Sequence, residues 1–226
     1  MNIDLTNRVA LVTGGATGLG KGIAKALSDA NATVIITSRK KKDIKNTLKI
    51  LNKKCKGYNL DLTKNNDLKK LEKKILKEFK KLDILINNIG HTLGVKDPFS
   101  SVNKWKQVMD LNFFTAVNVI NTFIKSMKKN NWGRIINITS IAGIEISGPS
   151  SFNASKAALT AYSRSVGRQL AIEKKNIVMT AVAPGVIVTE KGHWNRKTIK
   201  TKHAKNYLKN RTALGRFGTM DEFTGI

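Results

Sequence analysis

Short runs of apolar, β-branched residues alternate along the chain with longer stretches in which apolar residues recur every three or four positions. Runs of the first kind predict strands, and stretches of the second kind predict amphipathic helices. The stretch 68–82 is helical by this criterion, because its apolar side chains share one face: Leu68, Leu71, Ile75 and Phe79. The predicted strands are 9–13, 33–37, 57–60, 84–87, 134–139 and 177–183.

Strands that alternate with helices favour right-handed βαβ units, in which successive strands run parallel and helices cover both faces of the sheet. The strands are nearly continuous apolar runs, as expected when both faces are buried. The sequence therefore predicts the α/β class, with a Rossmann-type doubly wound parallel sheet. A chain of 226 residues, 41% of them hydrophobic, is long enough for one well-cored domain spanning 1–226.

Membrane and export segments are not predicted, because no run of about 18 apolar residues occurs and no apolar stretch follows a basic start. Cys55 is the only cysteine, and no second thiol or histidine stands beside it that could share a metal ion. Neither an internal disulfide nor a metal site is expected. These features predict a cytoplasmic protein.

The net charge is strongly positive, since 41 Lys and Arg residues face 15 Asp and Glu residues, giving +26. Such a charge attracts polyanions without sequence preference. The lysines of the stretch 68–82, however, fall outside its apolar stripe, and basic residues are spread along the whole chain rather than interleaved with aromatic residues. A compositional lysine bias explains the charge better than a nucleic-acid partner does.

A glycine-rich turn follows the first predicted strand and precedes a helical pattern. Gly14, Gly18 and Gly20 form a GxxxGxG motif there. Glycines suit this position because the chain turns sharply and its backbone N–H groups must approach a pyrophosphate at the positive end of the helix. The strand–turn–helix context makes a dinucleotide site the favoured interpretation, although glycine-rich turns also occur without a ligand.

The end of the second predicted strand indicates which dinucleotide is bound. An NAD-preferring site places an acidic side chain here for the ribose 2′-hydroxyl, whereas an NADP site needs a cation and no adjacent acid. Ser38 and Arg39 satisfy the second requirement. The expected cofactor is therefore NADP(H), and the alternative is a basic loop in a lysine-rich protein.

These motifs and their order resemble the short-chain dehydrogenase/reductase family over essentially the whole chain, including its 3-oxoacyl carrier-protein reductases. The stretch 87–90 is similar to the family's NNAG motif, with Ile89 in place of alanine, and Pro184-Gly185 resembles the turn that holds the nicotinamide amide. The resemblance implies cofactor contacts at Gly14, Thr17, Gly18, Leu19, Gly20, Ser38, Arg39, Asp61, Leu62, Asn88, Gly90, Lys156, Pro184, Gly185, Ile187 and Thr189.

The resemblance also implies four catalytic positions, and one of them departs from the family. Asn112, Ser140 and Lys156 match the proton-relay Asn, the catalytic Ser and the Lys of the YxxxK motif, but Phe152 stands where the family has its proton-donating Tyr. A phenyl ring has no proton to give, and loss of a positioned general acid commonly lowers the rate by about 10²–10⁴.

Two nearby hydroxyl groups bear on these assignments. Thr139 is an alternative to Ser140, because the spacing to position 152 is one residue shorter than in many family members. Tyr162 lies ten residues beyond Phe152 on the same predicted helix, about 15 Å away at 1.5 Å per residue, so it does not replace the missing phenol. A water held by Ser140 and Lys156 is the remaining candidate proton source.

The last part of the chain predicts a lid and a shortened sheet. Residues 190–210 carry aromatic and basic side chains between a Pro-Gly turn and the next motif, which suits a lid over a substrate pocket. Family members continue beyond the segment 211–222 through a helix and a final strand, so the sheet is expected to lack that strand. The resemblance implies a homo-oligomer, whose contacts that strand and helix usually build.

Three functions are compatible with the sequence. The first is an NADP(H)-dependent oxidoreductase that transfers hydride between nicotinamide and a small carbonyl or alcohol substrate, with impaired proton delivery. The second is a nucleotide-binding protein without turnover, either a natural pseudoenzyme or a Tyr-to-Phe variant. The third is a basic polyanion binder. The substrate is not specified, although the lysines of 190–210 suit an anionic or carrier-bound molecule, and other segments resemble relatives from surface-sugar pathways.

Overall fold

The central element is one parallel sheet. The computed structural model describes residues 3–145 and 147–225. Its six strands pair in the order β3-β2-β1-β4-β5-β6, and every neighbouring pair is parallel, which confirms the predicted fold class. The strands are β1 (Val9–Val12), β2 (Thr33–Ser38), β3 (Lys56–Asn59), β4 (Ile84–Asn87), β5 (Gly133–Ile138) and β6 (Ile177–Val182).

Four strands end one residue earlier than predicted, at Val12, Asn59, Ile138 and Val182. Thr13 and Thr139 therefore belong to the loops that leave the sheet, although both are buried. The apolar pattern does not mark this boundary, because a threonine at a strand end satisfies the same periodicity as a strand residue.

Helices cover both faces of the sheet. They are α1 (Gly18–Asp29), α2 (Lys41–Leu48), α3 (Asn65–Phe79), α4 (Val102–Met109), α5 (Thr115–Lys129), α6 (Ser150–Ile172), α7 (Lys202–Arg211) and α8 (Met220–Thr224). A π-helical turn, Asp110–Phe114, joins α4 to α5, and 3-10 turns occur at Ile141–Gly143 and Thr198–Lys200. None of the helices in the described residues is long and apolar enough to cross a membrane.

Two apolar cores lie on opposite faces of the sheet. Side chains alternate along β1, so that Val9 and Leu11 join one core while Ala10 and Val12 join the other. The first core includes α3, α5 and α6, and the second includes α1, α2 and α8. The predicted stripe of α3 lies in the first core, where its first three side chains are buried and the fourth is partly buried: Leu68, Leu71, Ile75 and Phe79.

The strand order places a crevice at the centre of the sheet. β1 pairs with β2 on one side and with β4 on the other, so the connections leave β1 and β4 in opposite directions. The loops at their carboxyl ends diverge there, and ligands of doubly wound sheets bind at this switch point. The glycine turn after β1 and the 88–90 loop after β4 both border this crevice.

The segment after β6 folds around Trp194. Residues 187 and 218 form an isolated parallel bridge, which closes the segment at its base. The indole of Trp194 stacks on His203 at 5.9 Å and an interplanar angle of 7°, and it also contacts His193, Tyr207 and Phe217. The predicted lid, 190–210, is thus built around a small aromatic cluster.

Candidate active site

The glycine turn has the shape that a phosphate site requires. Gly14 and Gly18 have φ of +63° and +57°, a region that L side chains rarely adopt. A Cβ at Gly20 would lie 2.5 Å from both the Asn88 side-chain nitrogen and the Gly14 carbonyl oxygen. The chain can therefore close here only with glycine, and this brings the start of α1 next to β4.

The first turn of α1 is open to an anion. Thr17 is the N-cap residue in extended conformation, but its side chain makes no capping hydrogen bond, and no acidic residue occurs in the first turn. The first N–H groups of a helix lack intrahelical partners and carry the positive end of its dipole. Leu19 is partly buried against the apolar core beneath this turn, so the turn presents its backbone to the crevice.

Asn88 joins the glycine turn to the end of β4. Its side-chain amide donates to the carbonyl oxygens of Thr13 (3.0 Å) and Gly14 (3.3 Å), and its backbone N–H donates to the Thr13 hydroxyl at 3.0 Å. These bonds fix the width of the crevice between β1 and β4. Asn88 therefore acts on the crevice by holding the two loops together.

The end of β2 forms the second part of the crevice. Arg39 is exposed, and the Ser38 hydroxyl accepts a hydrogen bond from the backbone N–H of Lys40 at 3.2 Å. Arg39 and Phe114 are among the residues that line a cavity of about 420 Å³. A free guanidinium at the rim of a cavity is available to an anionic ligand.

The residues after β3 have different orientations. The Asp61 carboxylate accepts from the backbone N–H of Thr63 at 3.2 Å and from its hydroxyl at 2.8 Å, so it stabilises its own turn. Leu62 is 2% exposed and belongs to the first apolar core. Its side chain therefore packs within that core.

Asn112 is held by the π-helical turn. It is fully buried, its Oδ1 accepts from the backbone N–H of His91 at 2.9 Å, and its Nδ2 donates to the carbonyls of His91 and Val108 at 2.8 Å each. π-helical turns occur frequently at functional sites because the extra residue redirects a side chain. The turn aims Asn112 at the loop after β4.

Gly90 marks the point where Asn112 and Lys156 meet. A Cβ built on Gly90 would lie 2.8 Å from the Asn112 Oδ1 and 2.9 Å from the Lys156 ammonium nitrogen. Any larger residue would separate these two side chains from the crevice. The structure thus brings together, at one end of β4, residues that are 22 and 66 positions apart in the sequence.

Lys156 is buried and carries the clearest electrostatic perturbation of the site. It is 3% exposed, and its ammonium donates to the Ile138 carbonyl oxygen at 2.9 Å. Burial lowers the pKa of Lys156 to about 8, because the charged form loses its hydration. The Phe152 ring lies 5.7 Å from the ammonium, measured to the ring centre, and one helical turn separates the two residues.

Ser140 and Thr139 have distinct environments. Thr139 is 4% exposed, and its hydroxyl donates to the carbonyl of Val182, the last residue of β6, at 3.0 Å. The Ser140 hydroxyl is half-buried and accepts from the backbone N–H of Ala142 at 3.1 Å, which leaves its own proton available. A Cβ on Gly143 would lie 2.7 Å from the Lys156 carbonyl carbon, so this loop packs directly on α6.

The turn after β6 completes the site. The Pro184 carbonyl accepts from the backbone N–H of Ile141 at 3.3 Å, and Gly185 is exposed. Ile187 pairs with Gly218. Thr189 is almost buried, and its hydroxyl accepts from the Gly192 N–H at 2.9 Å.

Two features of the site were not predicted from the sequence. A buried chain of hydrogen bonds runs from the Asn87 amide to Asn137 (2.9 Å), and from the Asn137 amide to the Ser163 hydroxyl (2.8 Å), joining β4, β5 and α6. Polar residues inside apolar strands are the signal that could have revealed it. Two ion pairs of the segment 190–210, at Glu190 and Lys191, were also not predicted.

Tyr162 lies outside the site. Its ring packs edge-to-face on Phe113 at 5.8 Å and against the first apolar core, and burial raises the pKa of its phenol. Among the described residues, no group of three or more His, Cys, Asp or Glu side chains could hold a metal ion.

Comparisons with known proteins agree with this geometry. Residues 8–200 match the short chain dehydrogenase family. The chain is 32% identical to the 3-oxoacyl-(acyl-carrier-protein) reductase FabG of Aquifex aeolicus, with 100% of this chain and 90% of the relative covered. It is 34% identical to the FabG of Buchnera aphidicola, with 98% and 88% covered.

A similar solved structure is a 7α-hydroxysteroid dehydrogenase complexed with NADH and 7-oxo glycochenodeoxycholic acid. It superposes with a TM-score of 0.87 at 26% identity, over 99% of this chain and 86% of that one. The structure of gox2181 superposes with a TM-score of 0.89, also at 26% identity, over 98% and 87%. The sequence match and the shared fold show that the chain belongs to the short chain dehydrogenase family of oxidoreductases.

Proposed function

We propose that the protein is an NADP(H)-dependent oxidoreductase that interconverts a carbonyl and an alcohol, with slow proton delivery. The observation that carries this proposal is the convergence of Asn112 and Lys156 on Gly90 at the carboxyl end of β4. Two polar side chains, both at least 97% buried, meet there at the switch point of a doubly wound sheet. A site of this kind is suited to orient a ligand's polar atoms and move protons.

The glycine turn fits a dinucleotide. Gly20 has no room for a Cβ, Gly18 has a left-handed conformation with open space around it, and the first turn of α1 has no capping side chain. This combination lets backbone N–H groups approach a pyrophosphate. Thr17 is the N-cap residue of this helix, and its side chain is not used for capping.

The preference for NADP(H) rests on Arg39. Its guanidinium is exposed at the rim of the crevice. The backbone N–H of the next residue, Lys40, already donates to the Ser38 hydroxyl. An unpaired guanidinium can bind a 2′-phosphate through two parallel hydrogen bonds. The Asp61 carboxylate is engaged with Thr63, so it does not compete for this position.

The residues of the chain divide the catalytic work. A bound nicotinamide supplies or accepts the hydride. Ser140 offers the proton of its hydroxyl to a carbonyl oxygen, and Lys156 supplies a buried positive charge that holds hydroxyl groups or water beside it. Phe152 carries no exchangeable proton, so proton transfer depends on a water between Ser140 and Lys156, and we expect it to limit the rate.

The substrate class is a small carbonyl compound or alcohol with an anionic or carrier-bound group. Between Lys191 and Arg211 the chain has eight Lys and Arg residues and no Asp or Glu. We infer that this segment is the lid over the substrate. Its charge would attract an anionic substrate, and several relatives are named as reductases of 3-oxoacyl groups on acyl carrier protein.

Two measurements test the proposal. Fluorescence titration with NADPH and NADH should show tighter NADPH binding, by about 10- to 100-fold for one charge-assisted contact, and Arg39→Ala should remove the difference. NADPH oxidation should then be slow but measurable with a panel of ketones, 3-oxoacyl thioesters and keto-sugars. Equal affinities would overturn the cofactor assignment, and failure to bind either nucleotide would overturn the proposed function.

A further inference from the structure

Two consecutive residues of the lid segment bridge the two sides of the crevice. We call Glu190 and Lys191 the strap. The Glu190 carboxylate pairs with Lys21 at 3.0 Å, and the Lys191 ammonium pairs with Asp43 at 2.6 Å. Lys21 lies in the first turns of α1, and Asp43 lies in the first turn of α2. The strap therefore connects the β6 side of the sheet to the helices that follow β1 and β2.

The strap lies over the glycine turn. Lys21 is one helical turn beyond Thr17, to whose carbonyl its backbone N–H donates at 3.2 Å. On α2, the Thr47 hydroxyl donates to the Ala16 carbonyl at 2.9 Å, so this face of α2 contacts the glycine turn. Asp43 precedes Thr47 by four residues and shares that face. Both ion pairs consequently sit at the rim of the crevice, on either side of the proposed phosphate site.

Asp43 is an isolated acidic residue in a basic part of the sequence. It is the only Asp or Glu between Arg39 and Leu60, and its side chain is 11% exposed. It lies in the first turn of α2, five residues beyond the end of β2, and a carboxylate close to the ribose would favour a 2′-hydroxyl and repel a 2′-phosphate. In this structure the carboxylate is not free, because Lys191 covers it from the opposite side of the crevice.

We propose that Lys191 determines cofactor specificity by neutralising Asp43, so that the 2′-phosphate of NADP(H) can bind next to Arg39. This inference rests on the proposed preference for NADP(H). The physical reason is electrostatic: an uncovered carboxylate near the phosphate opposes its negative charge, and the partly buried setting weakens solvent screening. NADH has no charge at that position, so its binding depends little on the pair.

The test compares dissociation constants for NADPH and NADH in the same protein, because their ratio cancels any loss of correctly folded molecules. Lys191→Gln should lower the preference for NADPH on the order of tenfold, as expected for one partly screened charge. Asp43→Asn in the Lys191→Gln background should restore most of the preference, since the carboxylate that needed covering is gone.

Two control variants distinguish neutralisation of Asp43 by Lys191 from a general effect of losing an ion pair. Lys25→Gln makes the same substitution on α1. It removes the ion pair of Lys25 with Asp29, at 2.5 Å, which lies outside the strap. Glu190→Gln removes the other ion pair of the strap, with Lys21, and leaves both partners of the Lys191–Asp43 pair in place. Both variants should keep a ratio close to that of the wild type, because the charges that they change are largely exposed and screened by solvent, and neither variant removes the partner of Asp43.

An unchanged ratio in Lys191→Gln, an unrestored ratio in the double variant, or an equal shift in Lys25→Gln or Glu190→Gln would overturn the role of Lys191. A wild-type protein without NADPH preference would instead overturn the proposed cofactor, which the inference presupposes. The expected result is a ratio that falls in Lys191→Gln alone and recovers in the double variant.

Discussion

The ammonium of Lys156 lies 5.7 Å from the centre of the Phe152 ring, on the next turn of α6. The ammonium donates a hydrogen bond to the Ile138 carbonyl, and the Lys156 side chain is buried. A ring attracts a cation through its face, but it cannot receive or supply a proton. Lys156 thus stands where a cation would lower the pKa of an acidic group at position 152, but the phenyl ring there has no acidic proton.

Phe152→Tyr should raise carbonyl reduction by about two to four orders of magnitude, because it restores a general acid while the ring keeps its shape. The affinity for NADPH should change little, since the hydroxyl acts mainly in the transition state. Steady-state NADPH oxidation with the substrate panel measures the first effect, and fluorescence titration measures the second.

Lys156→Ala in the Phe152→Tyr background serves as the control and should remove the gain. If the folded Tyr form remains inert with every substrate, the protein binds nucleotide without turnover. If the Phe form is already equally active, the proton donor lies elsewhere and the assignment of position 152 is wrong.

Gly20→Ala should abolish nucleotide binding and lower the free energy of unfolding. The added methyl would lie 2.5 Å from the Asn88 amide and from the Gly14 carbonyl, and overpacking of this kind costs about 1–3 kcal/mol. Gly22→Ala on the same helix is the control, because there the methyl meets only the flexible end of Met220. Urea unfolding and NADPH titration of both variants check the prediction, which fails if they behave alike.

Trp194→Ala should loosen the segment 190–210, because the indole lies near its start and contacts His203 and Tyr207 near its end. We expect tryptic cleavage within the segment to become about tenfold faster, with little change in global unfolding, as for local opening of a weakly buried unit. Trp194→Phe keeps a ring in the cluster and should stay close to the wild-type rate. Equal cleavage rates in wild type and Trp194→Ala would show that the cluster does not hold the segment.

The central strands could be predicted from the sequence because β1, β2 and β4 are buried on both faces and form nearly continuous runs of apolar residues. The roles of the glycine turn, Asn112 and Lys156 were assigned from their fixed places in a family pattern, and these roles stay predictions. The π-helical turn at Asp110–Phe114 could not be predicted, since its side chains satisfy helical periodicity as well as an α-helix does. Nor could the pair of Lys191 and Asp43, which are 148 residues apart and meet only through the fold.

Side-chain direction was the other limit. Leu62 follows Asp61 in a family motif, but its side chain fills the core, and adjacent residues in an irregular loop carry no periodicity that would reveal this. Ser140 and Thr139 differ for the same reason. The sequence favours Ser140 and keeps Thr139 as the alternative, whereas in the fold the Thr139 hydroxyl donates to the Val182 carbonyl of β6 and the Ser140 hydroxyl accepts from the Ala142 N–H.

Lys156 makes the stability of the protein depend on pH in a defined direction. Its pKa is lowered by burial from 10.5 to about 8 in the folded state, so between these values the unfolded chain holds a proton that the folded chain has released. Stability therefore rises with pH across this window, as the cost of burying the ammonium disappears.

Lys156→Met should remove that cost and with it the pH dependence. Below pH 8 the variant should be more stable than the wild type by up to roughly 3 kcal/mol, at 1.36 kcal/mol per pKa unit, less about 1 kcal/mol for the lost hydrogen bond to Ile138. The advantage should shrink as the pH rises from 8 to 10.5, because the wild type then buries a neutral amine. Urea unfolding at half-unit pH steps measures the difference, and Lys69→Met on the exposed side of α3 corrects for the loss of one charge from a strongly basic protein. A difference between Lys156→Met and wild type that stays constant across the window would contradict the burial of a charged amine at this site.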